Sequence, residues 1–395
     1  MKIQPLSFEI LKSFFADLPR LDRLFTHHFK QNKTSPADKQ IIFEEVSAYI
    51  RLLPVHFYEM GMDPFNEQVE FKYLINTVRD FVPFRYRKEF RDRIKSAPKS
   101  DWYKLAGLPQ RFADSLFQQH SDLEVAEFLI KSVQPRPIQA RLFKSGNSPV
   151  ADFEPIGGIP FAYQFTGDEL SFKDDWFQQG WFELQDLSSQ LACLLVNPKP
   201  TETVLDACAG SGGKSLSLAS IMKGKGKVYS VITQEFEEKE IRNRSSKKNL
   251  GNISVLNFEN PKLNDLTGKS DIVWVDAPCS GSGVIRRNPD IIYRFKDFDL
   301  GDFQTKQLEL LKDYSKFLKP GGKLVYSTCS VFEEENQSVI RQFIDSSEGK
   351  FERDTFQQAI TYFNLPLQNQ SEFTFGFDSN LNSDGFYLSV LKKQN

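Results

Sequence analysis

Between residues 203 and 330, five short apolar runs, TVLD, KVYSVIT, NISVLNF, DIVWVDAP and KLVYSTCS, alternate with stretches of helical period such as GKSLSLASIM and DFQTKQLELLKDYSKFL. Near-continuous apolar strands need cover on both faces, and the helices that connect parallel strands supply it. The pattern predicts an α/β chain with a mostly parallel, Rossmann-like sheet. Two further runs, EFTFGF and DGFYLSVLKK, follow each other with a loop and no full helix between them. They read as an antiparallel pair closing the sheet edge, which brings the expected total to seven strands.

At 395 residues the chain exceeds what one core usually holds. Apolar residues recur every three or four positions up to about residue 130, as in IIFEEVSAYIRLL and DLEVAEFLIKSV, so residues 1–130 read as a helical N-terminal domain. Prolines and glycines then separate short extended runs in QPRPIQARLFKSGNSPVADFEPIGGIPFAYQF, so 131–180 reads as a small strand-containing α+β module. The alternating strands and helices occupy 181–395.

The opening stretch MKIQPLSFEILKSFFADLPR lacks the apolar centre of a secretory signal, and no apolar run is long enough to cross a bilayer. A cytoplasmic protein without membrane function is expected. The four cysteines are irregularly spaced and all four histidines precede the first of them, which argues against a disulfide framework and against a metal site. A monomer is expected, since no heptad pattern demands a partner. A net charge of −2 does not announce a nucleic-acid binder, so local clusters must carry that argument. In RYRKEFRDRIKSAPKSDWYK, the cations Arg85, Arg87, Lys88, Arg91, Arg93, Lys95, Lys99 and Lys104 interleave with Tyr86, Phe90, Trp102 and Tyr103. A solvated helix face and a phosphate-contacting surface both fit this pattern.

TVLDACAGSGGKS is a strand running into a glycine-rich turn and a helix, the arrangement of a nucleotide-type pocket at the carboxyl end of a strand. It is no Walker loop, because Cys208 stands where a glycine is required, and no GxGxxG, because Ser215 stands at the last glycine position. Asp206 can meet a cationic ligand or hold the loop through backbone N–H groups. Two cysteines then follow strand ends. Cys279 lies in Asp276-Ala277-Pro278-Cys279-Ser280-Gly281 after DIVWV, and Cys329 in Ser327-Thr328-Cys329-Ser330 after KLVY. Neighbouring strand ends would bring both thiols to the rim where α/β sheets bind ligands. Cys193, in the apolar run LSSQLACLLV, reads as a buried packing residue, and so does Cys208.

Five stretches, LQDLSSQLA, VLDACAGSGGKS, DIVWVDAPCSGSGVIRRNPDI, LKPGGKLVYSTCSVFEEEN and DGFYLSVLKK, carry a family resemblance over roughly half the chain. Together they resemble the Sun/nucleolar-protein family of RNA cytosine-5 methyltransferases, whose bacterial members act on small-subunit ribosomal RNA. The resemblance implies a class I methyltransferase fold and transfer of a methyl group from S-adenosylmethionine to carbon 5 of a cytosine, with ribosomal RNA as the expected partner. Carbon 5 is a poor nucleophile until a thiolate adds to carbon 6. The resemblance assigns that addition to Cys329, help in releasing the methylated base to Cys279, and a hydrogen bond to the ring nitrogen to Asp276. It places the cofactor against Cys208, Ala209, Gly210, Ser211, Gly212, Gly213, Lys214 and Asp276. Arg286, Arg287 and Asn288, just after the cysteine loop, are candidates for backbone phosphate contacts, with a solvated basic turn as the alternative.

Two departures matter. The family's CAAPGGKT loop reads CAGSGGKS here, with Gly210 and Ser211 in place of Ala and Pro. The acid expected at the end of the second strand, to hold the ribose, is replaced by Ile232, with Glu235 nearby as a substitute. Glu259 is the acid after the third strand. These changes keep a rival open, an RNA-binding or ribosome-assembly factor without catalysis, beside a methyltransferase of tRNA or DNA.

Overall fold

Four short strands follow the helical region: β1 (Gln139–Leu142), β2 (Phe153–Pro155), β3 (Ala162–Phe165) and β4 (Phe182–Leu184). They pair antiparallel in the order β2-β3-β1-β4. Ala140, Phe153, Trp176 and Phe182 form their core, with the Phe153 and Phe182 rings stacked at 4.7 Å. The fourth strand lies beyond residue 180, the bound drawn from composition, because its partner β1 is found across 39 intervening residues rather than locally.

The computed structural model describes residues 4–17, 19–65, 83–134, 136–144, 152–167, 170, 175–295, 299–377 and 381–394. The chain forms two units, Met1–Arg136 with Ser280–Phe298 and Phe377–Asn380, and Pro137–Cys279 with Asp299–Gly376 and Leu381–Asn395. The second contains the small sheet and the large one.

The large sheet comprises β5 (Thr203–Asp206), β6 (Lys227–Ile232), β7 (Ile253–Asn257), β8 (Ser270–Asp276), β9 (Leu318–Thr328), β10 (Phe351–Arg353), β11 (Glu372–Phe375) and β12 (Phe386–Lys393). Its order is β10-β12-β9-β8-β5-β6-β7, with β11 also on β12. The strands from β7 to β9 pair in parallel, and β12 inserts antiparallel beside β9. This is the mostly parallel, Rossmann-like sheet that the pattern of runs predicts. It has seven positions, the last shared end to end by β10 and β11 on the outer edge of β12. The three residues of β10 are too few to show a period, so only seven runs were legible in the sequence.

Alternate residues of a doubly covered strand must enter two different cores. Val204, Ile272 and Trp274 pack on one face of the sheet, while Leu205, Val273 and Val275 pack on the other. The helix Leu187–Val196 is buried almost all round and lies in the first core, Cys193 included.

The other unit holds the helices Pro5–Asp17, Leu21–Gln31, Pro36–Glu59, Pro83–Ser96, Trp102–Ala106, Gln110–Gln119 and Asp122–Ser132. Ser35 caps Pro36–Glu59, and a Ser121/Glu124 capping box starts Asp122–Ser132. No helix among the described residues is long and apolar enough to cross a membrane. The basic cluster is largely ion-paired on this unit's own surface. Arg91 meets Glu127 at 3.2 Å, Arg93 meets Glu59 at 2.7 Å, Lys104 meets Asp101 at 3.2 Å, and Lys99 meets Asp122. Phe90 is buried. These contacts support the solvated-face reading for those residues; the side chains of Arg85, Tyr86, Arg87 and Lys88 lie outside the described residues.

Residues 280–298 also belong to this unit. Arg286 is therefore not a phosphate contact on the surface: it is buried, and its Nε donates to the Gln134 carbonyl at 3.2 Å. The Arg286 carbonyl in turn accepts from Arg51, and Tyr293 donates to the Ile50 carbonyl at 3.0 Å. Basic residues after a cysteine loop suggested a ligand, but here one of them ties chain to chain.

Candidate active site

The sheet delivers β5, β8 and β9 side by side, so the turns after their carboxyl ends share one rim. The turn after β8 carries Cys279 and the turn after β9 carries Cys329, both half-buried. Their Sγ atoms lie 3.2 Å apart, well beyond the roughly 2.05 Å of a disulfide, so neither is disulfide-bonded. At that separation one S–H can hydrogen-bond the neighbouring sulfur.

The other two cysteines are held neutral. Burial pushes the Cys193 thiol up to about 11, and burial with the nearby Asp276 and Asp206 pushes Cys208 up to about 12. The packing role read for both from the sequence agrees with this, although Cys208 also sits in the glycine-rich loop after β5.

Asp276 ends β8 and is bound through both oxygens. Lys214 Nζ contacts its Oδ2 at 2.6 Å and Ser327 Oγ donates to its Oδ1 at 2.6 Å. Ser327 is positioned by Trp274, whose Nε1 donates to Ser327 Oγ at 2.8 Å. Burial pulls Lys214 down, but the charge and hydrogen bond of Asp276 outweigh it and hold the ammonium above the ordinary lysine value. The ammonium also lies 5.2 Å from the Phe386 ring centroid.

A second network lies beneath the two thiols, and the sequence did not assign it. Gln307 Nε2 donates to the Pro278 carbonyl and to Glu335 Oε1, both at 3.0 Å. Ser330 Oγ donates to Glu335 Oε2 at 2.5 Å, and Thr328 Oγ1 bonds Asn336 Oδ1 at 2.5 Å. Glu335, fully buried, thus ties the turn before Cys279 to the turn after Cys329. The only sequence signal was the EEEN that closes STCSVFEEEN.

Ala207 to Lys214 form the loop after β5. Gly210 and Gly212 take positive φ of 50° and 85°, and Gly212 packs so closely on Ile241 that a Cβ would come within 2.5 Å of it. Ala209 N–H is taken by the Val231 carbonyl at 3.0 Å, and Arg244 clamps the Ser211 carbonyl at 2.6 Å. Gly213 begins the helix Gly213–Ile221, which no side chain caps. Space is open above it: a Cβ on Gly210 would meet nothing within 4 Å, and one on Gly213 only Gln185 Nε2, at 4.0 Å. An uncapped helix start, open glycine backbone and a lysine suit the carboxylate of an amino-acid moiety. The methionine end of S-adenosylmethionine fits this loop.

The ribose end is different. Ile232 closes β6 and is buried, with its carbonyl accepting from Phe258 N–H at 3.1 Å. Glu235 opens the helix Glu235–Lys247 after β6, and Glu259 follows β7 with its N–H on Asn257 Oδ1 at 3.0 Å. Both carboxylates are exposed at the same rim as the loop.

Asp206, at the foot of the loop, accepts from Ser215 Oγ at 2.6 Å, and Ser215 accepts from Ser230 at 2.7 Å. Burial raises its pKa from 3.8 to about 6, against the Ser215 hydrogen bond. Between these values the folded chain keeps a proton that the unfolded chain has released, so stability falls as pH rises through the window. Asp206→Asn is expected to remove that fall. In urea titrations, wild type should lose roughly 2–3 kcal/mol relative to the variant between about pH 4 and 6.5, and parallel curves would contradict the shift.

A profile of the family described as 16S rRNA methyltransferase RsmB/F matches residues 193–392. The probable ribosomal RNA small subunit methyltransferase B of Bacillus subtilis (strain 168) is 41% identical over 170 residues, 42% of this chain and 38% of that protein. The ribosomal RNA small subunit methyltransferase B of Cronobacter sakazakii (strain ATCC BAA-894) is 32% identical over 218 residues, 55% of this chain and 48% of that one. The match thus spans about half or less of these relatives' length. Among solved structures, a methyltransferase homolog protein from Pyrococcus horikoshii aligns over 75% of this chain and 99% of its own, at 26% identity and TM-score 0.59. The structure of PH0851 covers both chains in full at TM-score 0.73 and 20% identity, a likeness of fold.

Proposed function

The chain belongs to the RsmB/F family of 16S rRNA methyltransferases, and from that premise we propose that it transfers a methyl group from S-adenosylmethionine to carbon 5 of a cytosine in ribosomal RNA. The observation that carries the proposal is the pair of cysteine sulfurs 3.2 Å apart, beside the Asp276–Lys214 ion pair and the open glycine loop.

In this reading the target base is unstacked and enters the rim, since carbon 6 is out of reach inside a helix. Cys329, as thiolate, adds to carbon 6, and the electron pair of the 5,6 double bond moves to carbon 5. The bound cofactor supplies an electrophilic methyl group. Cys279 then aids release: its sulfur takes the carbon 5 proton, the electrons of that C–H bond re-form the 5,6 double bond, and Cys329 leaves as thiolate. The roles of the two cysteines follow the TCS and PCS motifs. Asp276, ion-paired, only accepts hydrogen bonds. It therefore meets the exocyclic amine of cytosine beside the ring nitrogen and fixes the orientation of the base. Cys208, Ala209, Gly210, Ser211, Gly212, Gly213 and Lys214 hold the methionine end, with Glu235 and Glu259 as the acids toward the ribose and adenine.

The rival, an RNA-binding factor without catalysis, is favoured by one observation, the buried Ile232 where an acid is expected. Against it stand the pair of thiols and the positioning network around Glu335. Incubation of Cys279→Ala with ribosomal RNA and S-adenosylmethionine decides between them. A covalent protein–RNA species on a denaturing gel is expected, absent in Cys329→Ala. If wild type transfers no methyl group and neither variant is trapped, the binding factor is the correct reading.

A further inference from the structure

A cavity of about 1040 Å³ opens at the opposite rim of the sheet. It lies where the loop Asn197–Pro200 enters β5 and where the helix Gly213–Ile221 ends, bordered by β1 and by the helix Gln357–Phe363. Nothing in the methyl transfer chemistry uses it.

Its lining has an unusual charge character. Arg141, Lys144, Lys199 and Lys223 face it, and no carboxylate does among the described residues. Arg141 is only 1% exposed, and its Nε and Nη1 are sealed from solvent with no hydrogen-bond acceptor. Burial pulls its pKa down to about 10, which leaves it charged at neutral pH. A buried cation without a counter-ion is costly, and an anion delivered to the cavity would relieve that cost.

The second observation is aromatic. The Arg141 guanidinium lies 5.3 Å from the Phe161 ring centroid and 5.7 Å from that of Phe143. Phe161 is 46% exposed, and it holds a positive φ of 66°, a left-handed conformation that a bulky residue rarely adopts. Its carbonyl is locked by Leu142 N–H at 2.8 Å, so the ring is kept at the mouth. Tyr362, 68% exposed, stands at the same cavity. Exposed ring faces beside unneutralised cations are the elements with which proteins hold single-stranded nucleic acid, rings for bases and cations for phosphates. The volume is at the top of the roughly 300–1,000 Å³ that drug-sized ligands fill, enough for a strand passing through rather than one nucleotide.

We propose that this cavity docks a single-stranded segment of the RNA substrate, with a phosphate against Arg141 and Lys199 or Lys223, and bases on Phe161 and Tyr362. The proposal rests on the reading of the chain as an RNA-acting enzyme and gives the substrate a second hold, away from the cysteines.

The test uses the full chain, a labelled single-stranded RNA oligonucleotide, ribosomal RNA and cytidine monophosphate. Phe161→Ala and the double variant Lys199→Glu with Lys223→Glu alter exposed side chains; Arg141→Met is added where circular dichroism shows it folded. Oligonucleotide affinity is expected to fall on the order of tenfold. The slope of log affinity against log salt should fall by about one per lysine removed. In methyl transfer KM should rise with kcat unchanged, and ultraviolet crosslinks should map to Phe161 or Tyr362. Unchanged affinity and KM in folded variants of an active enzyme would overturn the docking site and leave the methyltransferase reading intact. Reduced oligonucleotide binding by the variants of a wild type that transfers no methyl would keep the docking site and remove the enzyme reading. Cytidine monophosphate that fills the cavity without competing with RNA would overturn RNA as its occupant.

Discussion

Replacing Cys329 by alanine is expected to reduce methyl transfer on the order of 10⁴-fold or more, while RNA and cofactor affinities change by less than about threefold. The reason lies in the substrate: without addition at carbon 6 there is no electron-rich carbon 5, so the barrier loses a whole covalent route rather than one stabilising contact. In the proposed mechanism Cys279, 3.2 Å away, is not expected to replace it, because Asp276 at the end of β8 would orient the base for attack from one sulfur. Single-turnover methyl transfer with separately measured binding checks this. The reverse pattern, with Cys329→Ala trapping RNA and Cys279→Ala inert, would exchange the two roles. A loss confined to RNA affinity would remove Cys329 from the chemistry.

The second large effect is expected at Asp276. Asp276→Asn keeps the shape but removes the charge that Lys214 meets at 2.6 Å and one of the acceptors for Ser327 and the base. A fall in kcat of about 10²–10³-fold is expected, the size seen when one oriented polar group is lost from an active site. Lys214 is left without its counter-ion, so cofactor affinity should change as well. Ser327→Ala, which leaves the ion pair, should cost much less. If Asp276→Asn slows kcat less than about fivefold while folded, the carboxylate serves the loop's structure rather than the base.

Much of this was written in the chain. Strands covered on both faces carry apolar residues throughout, so β5 to β9, β11 and β12 stood out as runs, and the turns after β5, β8 and β9 carried the glycine loop and both cysteines in legible motifs. Such features are local, set by the residue's own neighbours in sequence. What the tertiary structure decided was non-local. The three-residue β10 exists only because the edge of β12 offers it hydrogen bonds. Arg286 looked like a phosphate contact and is instead buried on Gln134, 152 residues away in the chain. Glu335 joins the two cysteine turns through Gln307 and Ser330, and Arg141 faces a cavity that no motif announces. A side chain's type and spacing state which chemistry it is able to perform. Whether it meets a counter-ion, a carbonyl or an open cavity is settled only when distant segments pack, since charge and hydrogen bonding act over a few ångströms of space and not along the chain.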